Sequence, residues 1–228
     1  MRIQEKPAID QINQIPLFRG LAPEETQLLE NLAEIRQVSR GEYIFEQGSP
    51  SDRLYYLRQG LVKVGVLSED SREVIKYFLS PGAFFGESGL LGEPVHPNFA
   101  LAISQEAHVV CFPQKAVMQL IQQNAPFMSA FMNWLGNRLH QTEKRLEGMF
   151  LKDARERIID FLRDSAQKQG EKIGFETLIR HSLTQQDIAN FTGTSRQTVT
   201  SVLNELRKAN LIYFTRRSIL IRDLANLA

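Results

Sequence analysis

The spacing of hydrophobic residues changes along this 228-residue chain, and each change predicts a different kind of element. Pro23 suits the first turn of a helix, and it is followed at helical spacing by Leu28, Leu29, Leu32 and Ile35. From Arg40 the period becomes two, which is typical of strands with one buried face. We therefore expect a short amphipathic helix followed by a β-rich region.

The β-rich region consists of short apolar runs separated by glycine, proline and serine. These runs are Tyr43–Phe45, Leu54–Leu57, Leu61–Leu67, Val74–Leu79 and Val109–Phe112. Many short strands at regular spacing predict a small antiparallel sandwich or barrel.

A long helical pattern begins after the strands. Asn124 can cap this helix, Pro126 fits its first turn, and the helical spacing persists to about Phe150. One stripe alternates by four and three residues, as in an a/d seam over three heptads, and contains Met128, Met132, Leu135, Leu139, Thr142, Leu146 and Met149. The opposite stripe contains Phe127, Phe131, Trp134 and Arg138.

Two opposite apolar stripes need two separate surfaces to bury them. We expect one stripe to pack on the β-rich region. The a/d seam then pairs most simply with the same helix of a second subunit, which gives a parallel twofold dimer. Packing of the seam within its own chain is the alternative.

Residues 183–208 have the pattern of a helix-turn-helix. Thr184 and Asp187 form a capping-box pattern for a first helix that ends at Gly193. Ser195 is a good N-cap for a second helix that starts at Arg196. One side of the second helix carries Val199, Val202, Leu203 and Leu206, and the other carries Arg196, Gln197, Thr200, Ser201 and Asn204.

The polar side of the second helix suits the major groove of DNA, because arginine offers a bidentate fork to guanine and glutamine can pair with adenine. We predict that Arg196 and Gln197 make the main base contacts. Thr200, Ser201 and Asn204 would lie near base edges or the adjoining backbone. An ordinary helical hairpin with a solvated outer face is the alternative.

Two short apolar runs follow the second helix, residues 209–214 and 219–221, and a basic turn separates them. The pattern predicts a β-hairpin wing with Arg216 and Arg217 at its tip. Directly behind a recognition helix, such a tip is suited to gripping the phosphate backbone.

Composition and charge agree with a nucleic-acid partner at the C-terminal end. Residues 152–228 hold 13 Lys and Arg against 9 Asp and Glu, whereas residues 1–151 hold 14 against 17. The single cysteine, Cys111, excludes intrachain disulfides and a four-cysteine cluster held by one chain. The charged N-terminus and the lack of an apolar run of ~18 residues predict a cytoplasmic protein with no membrane partner.

Two segments resemble a known family. The segments GEYIFEQGSPSDRLYYLRQGLVKV and SPGAFFGESGLL are similar to the β-roll of the cyclic-nucleotide-binding superfamily. Followed by a long helix and the SRQTVTSVLNEL segment, they resemble the Crp/Fnr family of bacterial transcription regulators over nearly the whole chain. The resemblance implies an α+β fold with three parts: an antiparallel β-roll (jelly roll) with an N-terminal helix in residues 1–123, a dimerisation helix in 124–151, and a winged helix-turn-helix in 152–228.

The resemblance also implies an effector site. In the family, the segment at Gly86, Glu87 and Ser88 turns backbone amides toward a phosphate, and a glutamate at position 87 binds the ribose. Arg138 and Thr142 match further pocket residues, although Arg138 could simply pair with Glu87 and Thr142 could be a tolerated seam residue.

The likeness weakens at Pro97 and Asn98, where relatives that bind cyclic AMP carry Arg-Ser or Arg-Thr. Without that arginine, Arg138 is the one cation left to balance both Glu87 and a phosphate. We therefore predict that Arg138 pairs with Glu87 and that cyclic AMP does not bind tightly. Family members also commonly carry glutamate at the Gln197 position, so the amide should shift base preference there.

The resulting interpretation is a homodimeric transcription regulator that binds a palindromic double-stranded DNA site. RNA polymerase and a small-molecule effector of unknown identity are further candidate partners. A cyclic-nucleotide-responsive regulator with an altered pocket and a ligand-binding roll acting on a protein partner are the alternatives. No enzyme, cofactor or metal site is predicted, because the chain has no metal-ligand spacing and no nucleophile with a base. The histidines are scattered along the sequence and are more simply structural than metal ligands; they are His96, His108, His140 and His181.

Overall fold

The computed structural model describes residues 2–3 and 12–227. Its contacts divide the chain into two compact units, one ending at Thr142 and the other beginning at Glu143. Strand β1 (Arg2–Ile3) and two short 3-10 turns, Ile12–Gln14 and Pro16–Phe18, precede helix α1 (Pro23–Leu32). These turns were not predicted.

Helix α1 ends earlier than its hydrophobic spacing predicts. Ala33 is already extended, and Ile35 lies in strand β2 (Glu34–Ser39), where it pairs with Val110. The prediction that Ile35 belongs to the helix and that strands begin only after Arg40 was therefore wrong. Ala33 and Ile35 are both buried at a spacing of two, so the strand period had already begun.

The N-terminal unit is an antiparallel β-roll of two sheets. Its remaining strands are β3 (Tyr43–Phe45), β4 (Arg53–Gln59), β5 (Val62–Leu67), β6 (Glu73–Leu79), β7 (Phe84–Phe85), β8 (Phe99–Ala102) and β9 (Glu106–Pro113). One sheet has the order β1-β2-β9-β4-β7 and the other the order β3-β8-β5-β6. Each predicted apolar run lies in a strand, except that Leu61 precedes β5.

An apolar cluster lies between the roll and its helices. Helix α2 (Gln114–Gln123) follows β9, and helix α3 (Ala125–Leu151) begins where Asn124 Oδ1 accepts the Phe127 amide at 2.9 Å. Phe127 and Phe131 are buried in this cluster, and Phe127 stacks on Phe18 with 5.8 Å between ring centroids. The predicted cap and the packing of one stripe on the β-rich region are thus confirmed.

The C-terminal unit combines helices with a small sheet. Its elements after α3 are α4 (Ala154–Gln169), β10 (Gly170–Ile173), β11 (Glu176–Arg180), α5 (Gln185–Thr192), α6 (Arg196–Lys208), β12 (Ile212–Phe214) and β13 (Ser218–Ile221). The sheet order is β10-β11-β13-β12, so the predicted wing hairpin extends a sheet whose other two strands were not predicted. The α+β fold class is confirmed, with a β-roll, a long helix and a helix-turn-helix.

In the described part of the chain, no helix combines the length and the apolar character that a membrane crossing requires.

Candidate nucleic-acid interface and effector site

The helix-turn-helix is built by two caps that the sequence predicts. Thr184 Oγ1 accepts the Asp187 amide at 3.0 Å, and the Asp187 carboxylate accepts the Thr184 amide at 2.8 Å. Gly193 ends α5 in the left-handed conformation with φ of 63°, which favours glycine. Ser195 then caps α6 by accepting the Thr198 amide at 3.0 Å. The caps fix where the second helix begins and therefore which residues lie in its first turns.

Helix α6 separates its two faces as expected. Val199, Val202, Leu203 and Leu206 are buried, whereas Arg196, Gln197 and Ser201 are exposed and Asn204 is half-buried. Thr200 is less available, because its hydroxyl lies 2.6 Å from Gln185 Oε1 and 2.9 Å from the Arg196 carbonyl oxygen. Sequence reasoning missed Gln185, whose side chain ties the first turn of α5 to α6.

The wing tip is ordered by its own hydrogen bonds. The Thr215 amide donates to the Ser218 carbonyl oxygen at 2.8 Å, and the Arg217 amide donates to Thr215 Oγ1 at 3.2 Å. Arg216 and Arg217 are both exposed at this tip. Two guanidinium groups on a fixed turn suit contacts with phosphate oxygens.

Two arginines that the sequence did not single out hold the end of α5. Arg157 Nε donates to the Thr192 carbonyl oxygen at 2.9 Å. Arg145 donates to the Phe191 carbonyl oxygen, and its guanidinium lies 4.0 Å from the centre of the Phe191 ring. Cations at a helix C-terminus satisfy orphan carbonyl groups and favour the helix dipole. Arg145 and Arg157 are thus positioning residues for the turn between α5 and α6.

The predicted effector segment lies at the end of β7. Gly86 is left-handed with φ of 79°, and a Cβ atom there would lie 2.5 Å from the Tyr55 ring, so only glycine fits. A short 3-10 helix, Glu87–Leu91, begins directly after it, and Ser88 is buried. The first amides of such a turn have no acceptor within it, which suits an acceptor from outside.

Arg138 is engaged on several sides within the N-terminal unit. Its Nε lies 3.4 Å from Glu87 Oε1, and its Nη1 donates to the Phe84 carbonyl oxygen at 3.1 Å. The guanidinium carbon lies 4.2 Å from the centre of the Tyr77 ring and 5.6 Å from that of Trp134. Arg138 and Glu87 therefore form the ion pair that the sequence argument predicts, and both side chains are largely buried.

Thr142 contacts the same tyrosine. Thr142 Oγ1 lies 2.9 Å from the Arg138 carbonyl oxygen, to which it donates, and 3.2 Å from the Tyr77 hydroxyl oxygen. The Thr142 hydroxyl has one proton, and it donates that proton to the Arg138 carbonyl oxygen. The Tyr77 hydroxyl is therefore the donor in the hydrogen bond to Thr142. Tyr77 was not predicted as a site residue.

The charge count made from the sequence at Asn98 was wrong, because it omitted Lys76. Lys76 Nζ donates to Asn98 Oδ1 at 2.6 Å, so a second cation lies where the arginine of relatives is absent. His96 adds no charge, since burial lowers its pKa to about 4 and its ring stacks on Phe45 at 3.7 Å between centroids. The cation beside Asn98 is thus an ammonium group, which lacks the bidentate geometry of guanidinium.

The predicted a/d seam is largely uncovered in the single chain. Met128, Met132, Leu139 and Leu146 are 48%, 56%, 61% and 57% exposed. Leu135 is partly covered by the apolar cluster of the N-terminal unit, and the side chain of Met149 lies close to Gly193. Four large apolar side chains at seam spacing on one helix form an exposed stripe of the kind that marks an interaction surface.

Among the described residues, no group of three or more His, Cys, Asp and Glu side chains is placed to hold a metal ion.

Two family models together match most of the chain. Residues 35–124 match the cyclic nucleotide-binding domain, and residues 156–228 match the Crp-like helix-turn-helix domain. The first range covers the β-roll from β2 through α2, and the second covers α5, α6 and the wing.

Similar proteins cover most of this chain. The cAMP-activated global transcriptional regulator CRP of Pasteurella multocida (strain Pm70) is 30% identical over 178 residues, which cover 78% of this chain and 85% of the relative. The CRP-like cAMP-activated global transcriptional regulator of Mycobacterium tuberculosis (strain H37Rv, ATCC 25618) is 29% identical over 212 residues, covering 93% and 94%. The fold is similar to that of FixK2 from Bradyrhizobium japonicum, with a TM-score of 0.77, 22% identity and coverage of 86% and 95%.

Fold and sequence together define a DNA-binding transcription regulator with a cyclic-nucleotide-binding domain. The chain belongs to the Crp/Fnr family of transcription regulators.

Proposed function

We propose that this regulator acts as a homodimer that reads a palindromic DNA site and that its β-roll does not bind cyclic AMP tightly. The main support for a dimer is the exposed apolar stripe on α3, which consists of Met128, Met132, Leu139 and Leu146. An a/d spacing of large apolar side chains fits the same helix of a second copy, related by a twofold axis. A twofold dimer in turn matches two half-sites about one helical turn apart.

The proposed DNA contacts divide into two classes. Arg196 and Gln197 at the start of α6 contact base edges, with Ser201 and Asn204 near base edges or the adjoining backbone. Thr200 belongs to the same face, but its hydroxyl is already hydrogen-bonded to Gln185, so its contribution to DNA binding comes from its methyl group or its position. Arg216 and Arg217 at the wing tip contact phosphates and carry no sequence preference.

The proposal about cyclic AMP rests on the groups that would have to receive it. Arg138 is paired with Glu87 and covered by Tyr77, and Thr142 is bonded to Tyr77. A cyclic phosphodiester would have to displace these contacts while it loses its own hydration. We expect the backbone at Gly86, Glu87 and Ser88 and the Lys76 ammonium, which is hydrogen-bonded to Asn98, to offer too little to offset both losses.

A cyclic-nucleotide-responsive regulator with an altered pocket is the second candidate, and Lys76 beside Asn98 favours it. An ammonium group at this position could receive a phosphate oxygen in place of the missing guanidinium. The two relatives above, whose names state activation by cAMP, also favour it.

Titration calorimetry of the full chain with cyclic AMP separates the two candidates. We expect no binding in the micromolar range and the same DNA affinity with and without the nucleotide, because Arg138 and Thr142 are already engaged within the chain. As a control, the same protein preparation is titrated with its selected duplex, because DNA binding shows that the protein is folded. Micromolar or tighter binding together with a gain in DNA affinity would replace our proposal by the second candidate.

A further inference from the structure

The described residues of the candidate effector site contain a side chain that none of the sequence patterns assigns, Tyr77 on β6. Its ring covers the Arg138 guanidinium at 4.2 Å, and its hydroxyl lies 3.2 Å from Thr142 Oγ1. Arg138 and Thr142 are the two residues of α3 that the family resemblance assigns to an effector. Tyr77 thus contacts both of them from the roll.

The contacts of Tyr77 are chemically those that a planar ligand would make. An aromatic face lies on a cation, and a polar edge group donates a hydrogen bond to a threonine hydroxyl. The hydrogen bonds run in one direction, from the Tyr77 hydroxyl to Thr142 and from Thr142 to the Arg138 carbonyl oxygen. The Arg138 side chain continues the connection to Glu87 and to the Phe84 carbonyl oxygen.

We propose that Tyr77 is the specificity-determining residue of the effector site: it occupies the ligand position itself and fixes α3 to the roll, so that DNA binding needs no effector. The inference rests on the proposed DNA-binding function and adds how it is regulated. A ligand acts on an equilibrium only by binding one conformation better than the other. When a residue of the chain already makes the contacts between the roll and α3, the conformation of α3 that a ligand would favour is populated without a ligand.

The strand geometry places Tyr77 for this role. Tyr77 pairs with Val64 on β5, and the register of β5 and β6 shifts directly afterwards, between Val64 and Gly65. Val64 is buried in the interior cluster of the roll, and Tyr77 packs against the same cluster. Because paired residues point to the same side of a sheet, the Tyr77 ring lies on the side of β6 that faces the roll interior. From there its hydroxyl reaches Thr142 and its ring reaches Arg138 on α3.

The test is a double-mutant cycle on effector-free DNA affinity, measured by fluorescence anisotropy with the full chain. Tyr77→Phe removes the hydroxyl and keeps the ring, and Thr142→Val removes the hydroxyl that accepts from it. We expect each change to weaken binding about 2- to 10-fold, the equivalent of one net hydrogen bond, and the double variant to be no weaker than either single variant. Tyr43→Phe, whose ring lies against Phe99 on the same sheet, is the matched control and should bind as the unaltered chain does.

Each alternative outcome has a distinct meaning. Sedimentation and thermal unfolding of every variant show whether a loss of affinity reflects the dimer or the fold instead of the Tyr77 contact. If the unaltered chain binds without effector but Tyr77→Phe has no effect, or if the two single effects simply add, the inference about Tyr77 is overturned while the proposed function stands. If the unaltered chain binds DNA only after cyclic AMP is added, both the inference and the proposal against cyclic AMP binding are overturned. If it selects no DNA sequence under either condition, the proposed function fails as well.

Discussion

Leu139→Glu is expected to convert the protein from dimer to monomer. Among the large apolar side chains of the predicted seam, Leu139 is the most exposed, and in a twofold coiled coil it would lie beside its mate. Burying two like charges there should cost about 3 kcal/mol or more, which raises the dimer dissociation constant by roughly 100-fold or more. DNA affinity should collapse as well, because a monomer contacts one half-site only.

Sedimentation velocity of the Leu139→Glu chain measures this effect directly. The matched control is Leu32→Glu on α1, an exposed leucine outside the seam, which should leave the dimer intact. A Leu139→Glu chain that sediments as a dimer would contradict the proposed interface. A circular dichroism spectrum like that of the unaltered chain excludes unfolding as the cause of a monomer.

Arg196→Ala is expected to weaken binding to the selected site and to relax its sequence at one base pair in each half-site. Arg196 is the first residue of α6 and is exposed, so its guanidinium can reach a guanine edge. The expected loss is about 1–3 kcal/mol, or roughly 5- to 150-fold in the dissociation constant. Competition between the selected site and its single-base variants measures both effects.

The wing supplies the control for this prediction. Neutralising Arg216 and Arg217 together as glutamine should weaken all sequences alike and lower the slope of log K against log salt by roughly 2. Arg196→Ala should change sequence preference more than this slope. Unchanged base preference in Arg196→Ala, or altered preference in the wing variant, would show that the two roles are assigned wrongly.

Local signals explain why much of the DNA-binding half could be predicted from the sequence. The caps at Thr184 and Ser195 and the glycine at Gly193 act within a few residues, and the structure contains the corresponding bonds. The apolar side of α6 follows from helical spacing alone. Helix α4 and strands β10 and β11 were not predicted, although Asp153 and Glu156 form a capping box that announces α4.

The start of the roll shows where local spacing is ambiguous. Leu29, Leu32 and Ile35 fit helical spacing, but Ala33 and Ile35 also fit the strand period. Pairing of β2 with β9, which lies far along the chain, selects the strand. No short window of sequence contains that information.

The effector site depends even more on distant pairing. Tyr77 and Thr142 are 65 positions apart, and Lys76 and Asn98 are 22 apart. Family resemblance led to Glu87, Arg138 and Thr142 because relatives use those positions. It could not indicate Lys76 or Tyr77, whose roles arise from the register of β6 in this chain.

The most direct test of effector-independent DNA recognition by a dimer is to select duplexes from a random library. The full chain is used for the selection, with and without cyclic AMP. We expect both arms to enrich the same palindrome, with half-sites about one helical turn apart and equal affinity in the two arms. Enrichment of a single unpaired half-site, enrichment only when cyclic AMP is present, or no preferred sequence would contradict it.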